Sequence, residues 1–262
     1  MKLTIVGLEG FPIWGNGQKH DLNREIITCL AQAGVSIDDG DILVVTHKVV
    51  SKGEGSVIDL RSVTPGVRAF ELAQRTGKDP RLVEVILQES KEVLRISNGL
   101  IITEHRLGFI CANAGVDRSN SGDLSGEKVV LLPRDPDRSA REIREALRQA
   151  FHKNVGIIIS DTHGRAFRDG IIGICIGIAG APVMWDLRGR KDLFGYTMTS
   201  SIECVADELA SAAALVMGQC DEGIPLALIK GFPWSSTPGL QAHSEESSCR
   251  EIIRDKEKDL FR

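Results

Sequence analysis

Apolar positions along the chain fall into short runs divided by turn-forming clusters, and the runs switch between the period of a strand and that of a helix. Lys2–Val6 predicts a strand, and Gly7–Gly17, with Pro12, a turn-rich loop. Asn23–Ala33 has helical spacing. After the turn Asp38-Asp39-Gly40, the β-branched run Asp41–Val50 predicts a buried strand ending at Ser51-Lys52-Gly53. Thr64-Pro65 and Asp79-Pro80 each read as a helix N-cap followed by proline at the first helical position, the second helix running to about Ser90. Asn98-Gly99, between Val93–Ile96 and Leu100–Thr103, predicts a hairpin because both turn residues tolerate positive φ.

Further on, Leu107–Ala112 reads as a strand, Asn113–Gly126 as a polar loop and Lys128–Leu132 as a strand closed by Pro133. Ser139–Phe151 is an amphipathic helix, Val155–Ser160 a buried strand, Ile202–Met217 a long apolar-striped helix and Pro225–Ile229 a last strand. In Ile172–Ala179 isoleucine alternates with Gly, Cys or Ala, which predicts a strand with one bulky and one nearly flat face that a backbone or a subunit can approach. Ser235–Ser248 is a polar excursion, and the charged stretch 249–262 suggests a short surface helix. The irregular interleaving, with a hairpin in the middle, points to an α+β fold with a mixed sheet rather than a regular βαβ wind. At 262 residues, and roughly 150 residues per domain, the chain reads as one functional unit, 1–262, with room for two lobes whose boundary the pattern does not mark.

Lys+Arg 32 against Asp+Glu 36 leaves a formal net charge of −4, without the basic excess that binding to nucleic-acid phosphates requires. The start Met1–Gly7 lacks the length and cleavage pattern of a signal peptide, and Ile171–Trp185 is too short and glycine-broken for a membrane span, so a cytoplasmic protein with no membrane partner is expected. The six cysteines show no Cys-x-x-Cys spacing and read mostly as small buried hydrophobes.

Neither a Walker-type phosphate loop nor a His-Glu-x-x-His or Gly-x-Ser-x-Gly motif is present, and Gly15-Asn-Gly17-Gln-Lys19-His20 lacks the third glycine of a dinucleotide site. Two buried strands instead run into aspartates expected on ligand-gathering loops: Asp117 in Ala114-Gly-Val-Asp117-Arg-Ser-Asn120, and Asp161 in Asp161-Thr162-His163-Gly164-Arg165. Carboxylate and hydroxyl oxygens are the hard donors that Mg²⁺ or Mn²⁺ takes, and such ions commonly bridge substrate phosphates. Taken singly, each aspartate reads equally well as a helix cap or turn residue. Arg118, Arg165, Arg168, Arg188, Arg190, Lys191, Lys48 and Lys52 are expected to supply a cationic ring, and glycines 53, 55, 164, 170 and 173 backbone N–H groups for phosphate. In Met217-Gly-Gln-Cys-Asp-Glu-Gly-Ile-Pro225, Gln219, Asp221 and Glu222 are candidate metal or base contacts, against helix C-capping at Gly218 or Gly223. His47 and His163 have no acid at a readable spacing, and Glu203 and Asp207, read as one turn apart on a helix, suggest ion pairing with Arg or Lys.

Six segments in order, Glu9-Gly-Phe-Pro-Ile13, Thr46-His-Lys-Val-Val-Ser-Lys-Gly-Glu54, Asn113-Ala-Gly-Val-Asp-Arg-Ser-Asn120, Ser160-Asp-Thr-His-Gly-Arg-Ala-Phe-Arg168, Gly189-Arg-Lys-Asp-Leu-Phe-Gly195 and Glu203-Cys-Val-Ala-Asp-Glu208, resemble the coenzyme F-420-0:L-glutamate ligase family over nearly the whole chain. The resemblance implies a γ-glutamyl ligase of mixed α+β, non-P-loop fold, an intertwined homodimer. Such an enzyme uses GTP and Mg²⁺ or Mn²⁺, with room for a monovalent cation such as K⁺, to add L-glutamate to the deazaflavin coenzyme precursor through an acyl phosphate. Carried over by position, Asp117 and Asp161 correspond to ligands of one metal and to the catalytic centre, with Thr162 near a second metal. Phe11, Pro12, Ile13, Trp14, His47, Lys48, Lys52, Asn120 and the turn Met217, Gly218, Gln219, Cys220, Asp221, Glu222, Gly223, Ile224 correspond to nucleotide contacts. Where the family pattern commonly carries a glutamate metal ligand the chain has Gln219, a neutral and weaker donor whose amide oxygen still coordinates. The alternatives are a related ligase with another phosphorylated acceptor and a non-catalytic metal- and nucleotide-binding regulator.

Overall fold

The computed structural model describes residues 2–14, 20–234, 236–240 and 247–259. The elements run β1 (Thr4–Gly7), α1 (Leu22–Gln32), β2 (Ile42–Thr46), α2 (His47–Gly53), β3 (Val57–Asp59), α3 (Val67–Thr76), α4 (Pro80–Gln88), β4 (Ser90–Ser97), β5 (Leu100–His105), β6 (Ile110–Ala112) and β7 (Lys128–Val130). They continue with α5 (Pro136–Phe151), β8 (Gly156–Arg165), β9 (Arg168–Ala179), β10 (Trp185–Asp186), β11 (Ile202–Glu203), α6 (Val205–Met217) and β12 (Leu226–Lys230).

The central sheet has the order β1-β12-β2-β8-β9; β2 and β8 are parallel and the other pairs antiparallel, so the mixed sheet expected from the sequence is present. β2 is apolar at successive positions because both its faces are covered. Leu43 and Val45 join Ile157 and Ile159 in a core beneath α1 and α5, whereas Ile42 and Val44 join Ile158 in a second core beneath α6. A third cluster, around Leu60, Leu72, Val83, Ile86, Ile101 and Val129, holds α3 and α4 against the smaller sheets β3-β7 and β4-β5-β6.

Several boundaries differ from the sequence expectation. The strand at Asp41–Val50 ends at Thr46, and His47–Gly53 is helical: Val50 is fully buried there and joins the first core, a tertiary gain that outweighs the β-preference of the two valines. Beyond Ser160, β8 continues as a strand through Asp161 to Arg165, turns at Ala166-Phe167 and returns as β9; Asp161 is therefore a strand residue, not a loop or cap. The cap of α3 is Gly66, whose N–H is bonded by Glu84 Oε2 at 2.9 Å, one residue past Thr64-Pro65; Asp79 caps α4 as expected. Asp135-Pro136 starts α5 three residues before the expected Ser139. A turn leaves only Ile110–Ala112 of the stretch 107–112 as strand, and short 3-10 turns at Cys249–Glu251 and Lys256–Lys258 replace the expected tail helix.

β9 departs most instructively. A bulge shifts its register on β8 between Ile159↔Gly177 and Ser160↔Cys175, so Ile176 is an extra residue and the faces exchange there. Gly173 lies against the α6 backbone, where a Cβ would come 2.6 Å from the Ala210 carbonyl oxygen. Gly177 lies against the start of α5, where a Cβ would come 2.6 Å from both C and O of Pro136. The small residues thus serve both faces, and the chain's own helices, rather than a subunit, make these two close approaches.

Candidate active site

β2 stops at Thr46, paired with Ser160, and the chain turns into α2; from Asp161 onward β8 keeps β9 on one side and loses its parallel neighbour on the other. Around that open edge is a cavity of about 440 Å³. Its walls come from the segment after β1 (Phe11–Trp14), the β2–α2 junction (Thr46–Val49, Lys52), the loop with Asp117 and Asn120, the β8–β9 edge (Ser160–Thr162, Gly173) and the turn Met217–Pro225 leading into β12. Carboxyl ends of parallel strands are where open α/β sheets gather ligands, and the cavity follows that rule at β2.

The structure brings all the carried-over positions to this one cavity: Phe11–Trp14, His47, Lys48, Lys52, Asp117, Asn120, Asp161, Thr162 and Met217–Ile224. The neighbouring stretch 15–19, which holds most of the Gly15–His20 segment, lies outside the described residues. The expected ring of cations is much smaller, since only Lys48 and Lys52 among the named basic residues line the cavity. Arg188 is bonded to Asp186, Arg165 reaches the Asp169 carbonyl, and Arg190 lies 5.2 Å over the Trp185 ring. Of the named glycines only Gly173 lines the cavity, whereas Gly53 packs on Leu22 and Trp14. Glu203 lies on β11 rather than on a helix with Asp207, and Asp207 accepts the Cys175 N–H at 2.9 Å instead of pairing with Arg or Lys.

Asp117 follows a left-handed turn, Asn113 (φ 52°), Ala114 (φ 52°) and Gly115 (φ 64°), and is clamped by mutual backbone bonds with Val130. Its carboxylate accepts from Lys48 Nζ at 2.7 Å and from the Ser119 N–H at 2.8 Å. Burial alone would raise this carboxyl, but the lysine and the Ser119 donors outweigh it and hold the group below the ordinary carboxylate value. Asp161 Oδ2 accepts from His163 Nε2 at 3.0 Å, and His47 Nε2 stands 3.3 Å from Oδ1 as an ion-pair neighbour. Burial again opposes ionisation, and the imidazoles and the Thr162 N–H overcome it, leaving the Asp161 carboxyl at about 2. Burial lowers His47 despite the adjacent Asp161 carboxylate, which opposes the shift. Lys52, lowered by burial and by nearby Lys48, reaches the Trp14 carbonyl at 3.4 Å.

The acid missing at a readable spacing from His47 and His163 is Asp161 in both cases. For His163 a signal existed: on a strand, residues two apart share a face, and β8 runs through both. For His47 the pairing depends on the Thr46↔Ser160 register, which sequence does not display. In the turn before β12, Gly218 does cap α6 (φ 70°), and Glu222 folds back on the Cys220 N–H at 2.8 Å, spent on its own turn. Asn120 donates to the Cys220 carbonyl at 3.0 Å, joining the two loops across the cavity. Side chains of the kind that hard cations take line these walls: the two carboxylates held ionised, Thr162 and Gln219. No group of three or more His, Cys, Asp or Glu side chains is gathered for a metal among the described residues, so such an ion would also draw on neutral, substrate or water oxygens. No helix among them is long and apolar enough to cross a membrane.

Residues 17–231 match the family model described as F420-0:Gamma-glutamyl ligase. The chain is 47% identical over 260 residues to the coenzyme F420:L-glutamate ligase of Methanopyrus kandleri, covering 99% of both chains. It is 44% identical to that of Methanocaldococcus jannaschii, over 100% of this chain and 97% of the relative, and 43% identical to that of Methanothermobacter thermautotrophicus, over the full length of both. The chain is therefore an enzyme and belongs to the F420-0:γ-glutamyl ligase family.

Proposed function

We propose that this ligase couples GTP hydrolysis to amide formation in the cavity around Asp117 and Asp161, adding L-glutamate to the deazaflavin coenzyme precursor. The observation that carries the reading is the pairing, in one cavity, of two carboxylates held ionised with the ammonium groups of Lys48 and Lys52. A carboxylate condenses with an amine only after activation. The precursor's carboxylate attacks the γ-phosphorus of GTP, GDP leaves, and the glutamate amine displaces phosphate from the acyl phosphate to give the amide. The protein contributes position and charge rather than a nucleophile.

Asp117, Asp161, Thr162 and Gln219 would hold Mg²⁺ or Mn²⁺, which when bound neutralises phosphate charge in the transferring group. Lys48 and Lys52 face the same space and would bind phosphate oxygens, while Phe11–Trp14, His47, Asn120 and Met217–Ile224 would enclose the rest of the nucleotide. K⁺ is included as an accessory ion, to be read from rates in K⁺ against Na⁺ buffers. Assembly as a homodimer is supported by apolar side chains left in solvent, Phe167 at the β8–β9 tip and Leu193 and Phe194 on the loop beyond β10, and light scattering tests it.

The deciding experiment is mass spectrometry of the deazaflavin precursor after incubation with protein, L-glutamate, GTP and Mg²⁺ or Mn²⁺, each omitted in turn. Glutamyl mass gains that require GTP and metal are expected. Folded, GTP-binding protein that yields none would overturn the reading, in favour of another phosphorylated acceptor.

A further inference from the structure

We propose that His163 is a positioning residue that fixes the plane of the Asp161 carboxylate for cation binding; this rests on the reading of Asp161 as a metal-holding group. Asp161 and His163 stand two residues apart on β8, and their spacing is set by the backbone ladder to β9, Asp161↔Ile174 and His163↔Ile172. His163 Nε2 lies 3.0 Å from Oδ2 and hydrogen-bonds it, while His47 Nε2 stands 3.3 Å from Oδ1 as a close electrostatic neighbour. Without the His163 bond the carboxylate could turn about its terminal torsion, which is broad and roughly two-fold. The His163 bond, with His47 close against the other oxygen, restrains that rotation and leaves both oxygens lone pairs for a cation.

The two supports come from separate elements. His47 stands on α2, with Ser51 Oγ 3.5 Å from its Nδ1, whereas His163 stands on the strand that carries the aspartate itself. Asp117 is held differently, by an ammonium and by Ser119, so the two carboxylates do not share a support. Both Asp161 and His163 are mostly shielded, with side chains 13% and 11% exposed, so water competes weakly for their bond. Partners of this kind orient metal ligands elsewhere, and their loss weakens metal binding by roughly 10–100-fold.

The test is Mn²⁺ binding to the full chain without nucleotide, read as free Mn²⁺ by electron paramagnetic resonance, beside thermal melts and steady-state kinetics. His163→Phe keeps ring bulk and removes the donor; His163→Gln places an amide N–H near the reach of Nε2; Asp161→Asn tests the underlying reading. The expected pattern is a loss of roughly 10–100-fold in Mn²⁺ affinity for His163→Phe, recovered largely by His163→Gln, with melting little changed. Kinetically, the KM for metal-nucleotide rises in the phenylalanine variant and returns toward wild type in the glutamine variant. If Asp161→Asn loses Mn²⁺ while His163→Phe binds it as wild type does, the positioning role is overturned and the metal reading stands. If Asp161→Asn binds Mn²⁺ undiminished, the metal reading fails and takes the proposal with it. Should His163→Phe not fold, His163→Asn replaces it, being similar in size to the glutamine variant but too short to reach the carboxylate. Equal Mn²⁺ affinity in the Asn and Gln variants then overturns the role.

Discussion

Gly177→Ala tests the exchange of faces at the β9 bulge. The added methyl would meet Pro136 Cβ at 2.5 Å and its backbone C and O at 2.6 Å, with no rotamer available to relieve the contact. Pro136 is the first residue of α5, whose Ile143 and Leu147 pack in the core, so relief requires moving that helix or the strand. Overpacking of this kind costs about 1–3 kcal/mol. Replacing glycine by alanine within regular structure returns roughly 0.5–1 kcal/mol, leaving a net loss of up to about 2.5 kcal/mol. The assay is urea unfolding followed by circular dichroism, where the midpoint should fall with m unchanged. Gly164→Ala is the control: it lies on the same hairpin, a Cβ there meets nothing within 4 Å, and it should be neutral or gain up to about 1 kcal/mol. A Gly177→Ala midpoint at or above wild type, or an equal fall in the control, would refute the close approach of α5.

Asp117→Ala and Asp161→Ala should each lower glutamate-dependent GDP release by on the order of 10²-fold or more while the folded spectrum persists; a near-full rate would remove that residue from the site. Asp137 accepts the Ile178 N–H at 2.9 Å, the Cys249 N–H at 3.2 Å and the Ser248 hydroxyl at 2.6 Å, so Asp137→Ala strands buried donors. It should destabilise by about 2–4 kcal/mol and expose the stretch after residue 247 to limited proteolysis; an unchanged digestion pattern would count against that anchor. Burial lowers His105 below the ordinary imidazole value, so the unfolded chain takes up its proton first and stability falls as pH drops below about 6.5, by up to about 1.4 kcal/mol per unit. Burial would raise Glu89, but its bonds to His105 and Arg106 hold it below the ordinary value, which adds a loss of the same sign below about pH 4.3. Urea midpoints between pH 7 and 5 should slope less in His105→Gln than in wild type, and a wild-type midpoint flat across that window contradicts the assignment.

What could be read in advance followed the strength of local signals. Asp79-Pro80 marked the start of α4 because cap and proline act within one turn. Asp135-Pro136 carries the same signal and starts α5, three residues before the periodicity that begins at Ser139. The polar stretch Ser160–Arg165 looked like a loop because strands are usually recognised by apolar residues, yet here the strand borders a cavity instead of a core. The bulge at Ile176 left no trace, since a regular alternation of isoleucine with small residues looks the same whether or not an extra residue intervenes. The segments now lining the cavity were legible through the family resemblance, whereas the contacts that join Asp161 to His47, and Asn120 to Cys220, depend on tertiary register.

β8 extends beyond the end of β2 while still paired with β9, and this separates two kinds of mobility within one cavity. Asp161 belongs to a ladder continuous with the buried part of the sheet, so its displacement requires opening of that paired unit. Phe11–Trp14 and Met217–Ile224 belong to connections between elements, whose local openings require far less. In amide hydrogen exchange the two connections should therefore respond to nucleotide while the β8–β9 amides remain slow with or without it. Over longer times the same separation lets insertions alter the walls that surround a nucleotide without shifting the carboxylate at their centre.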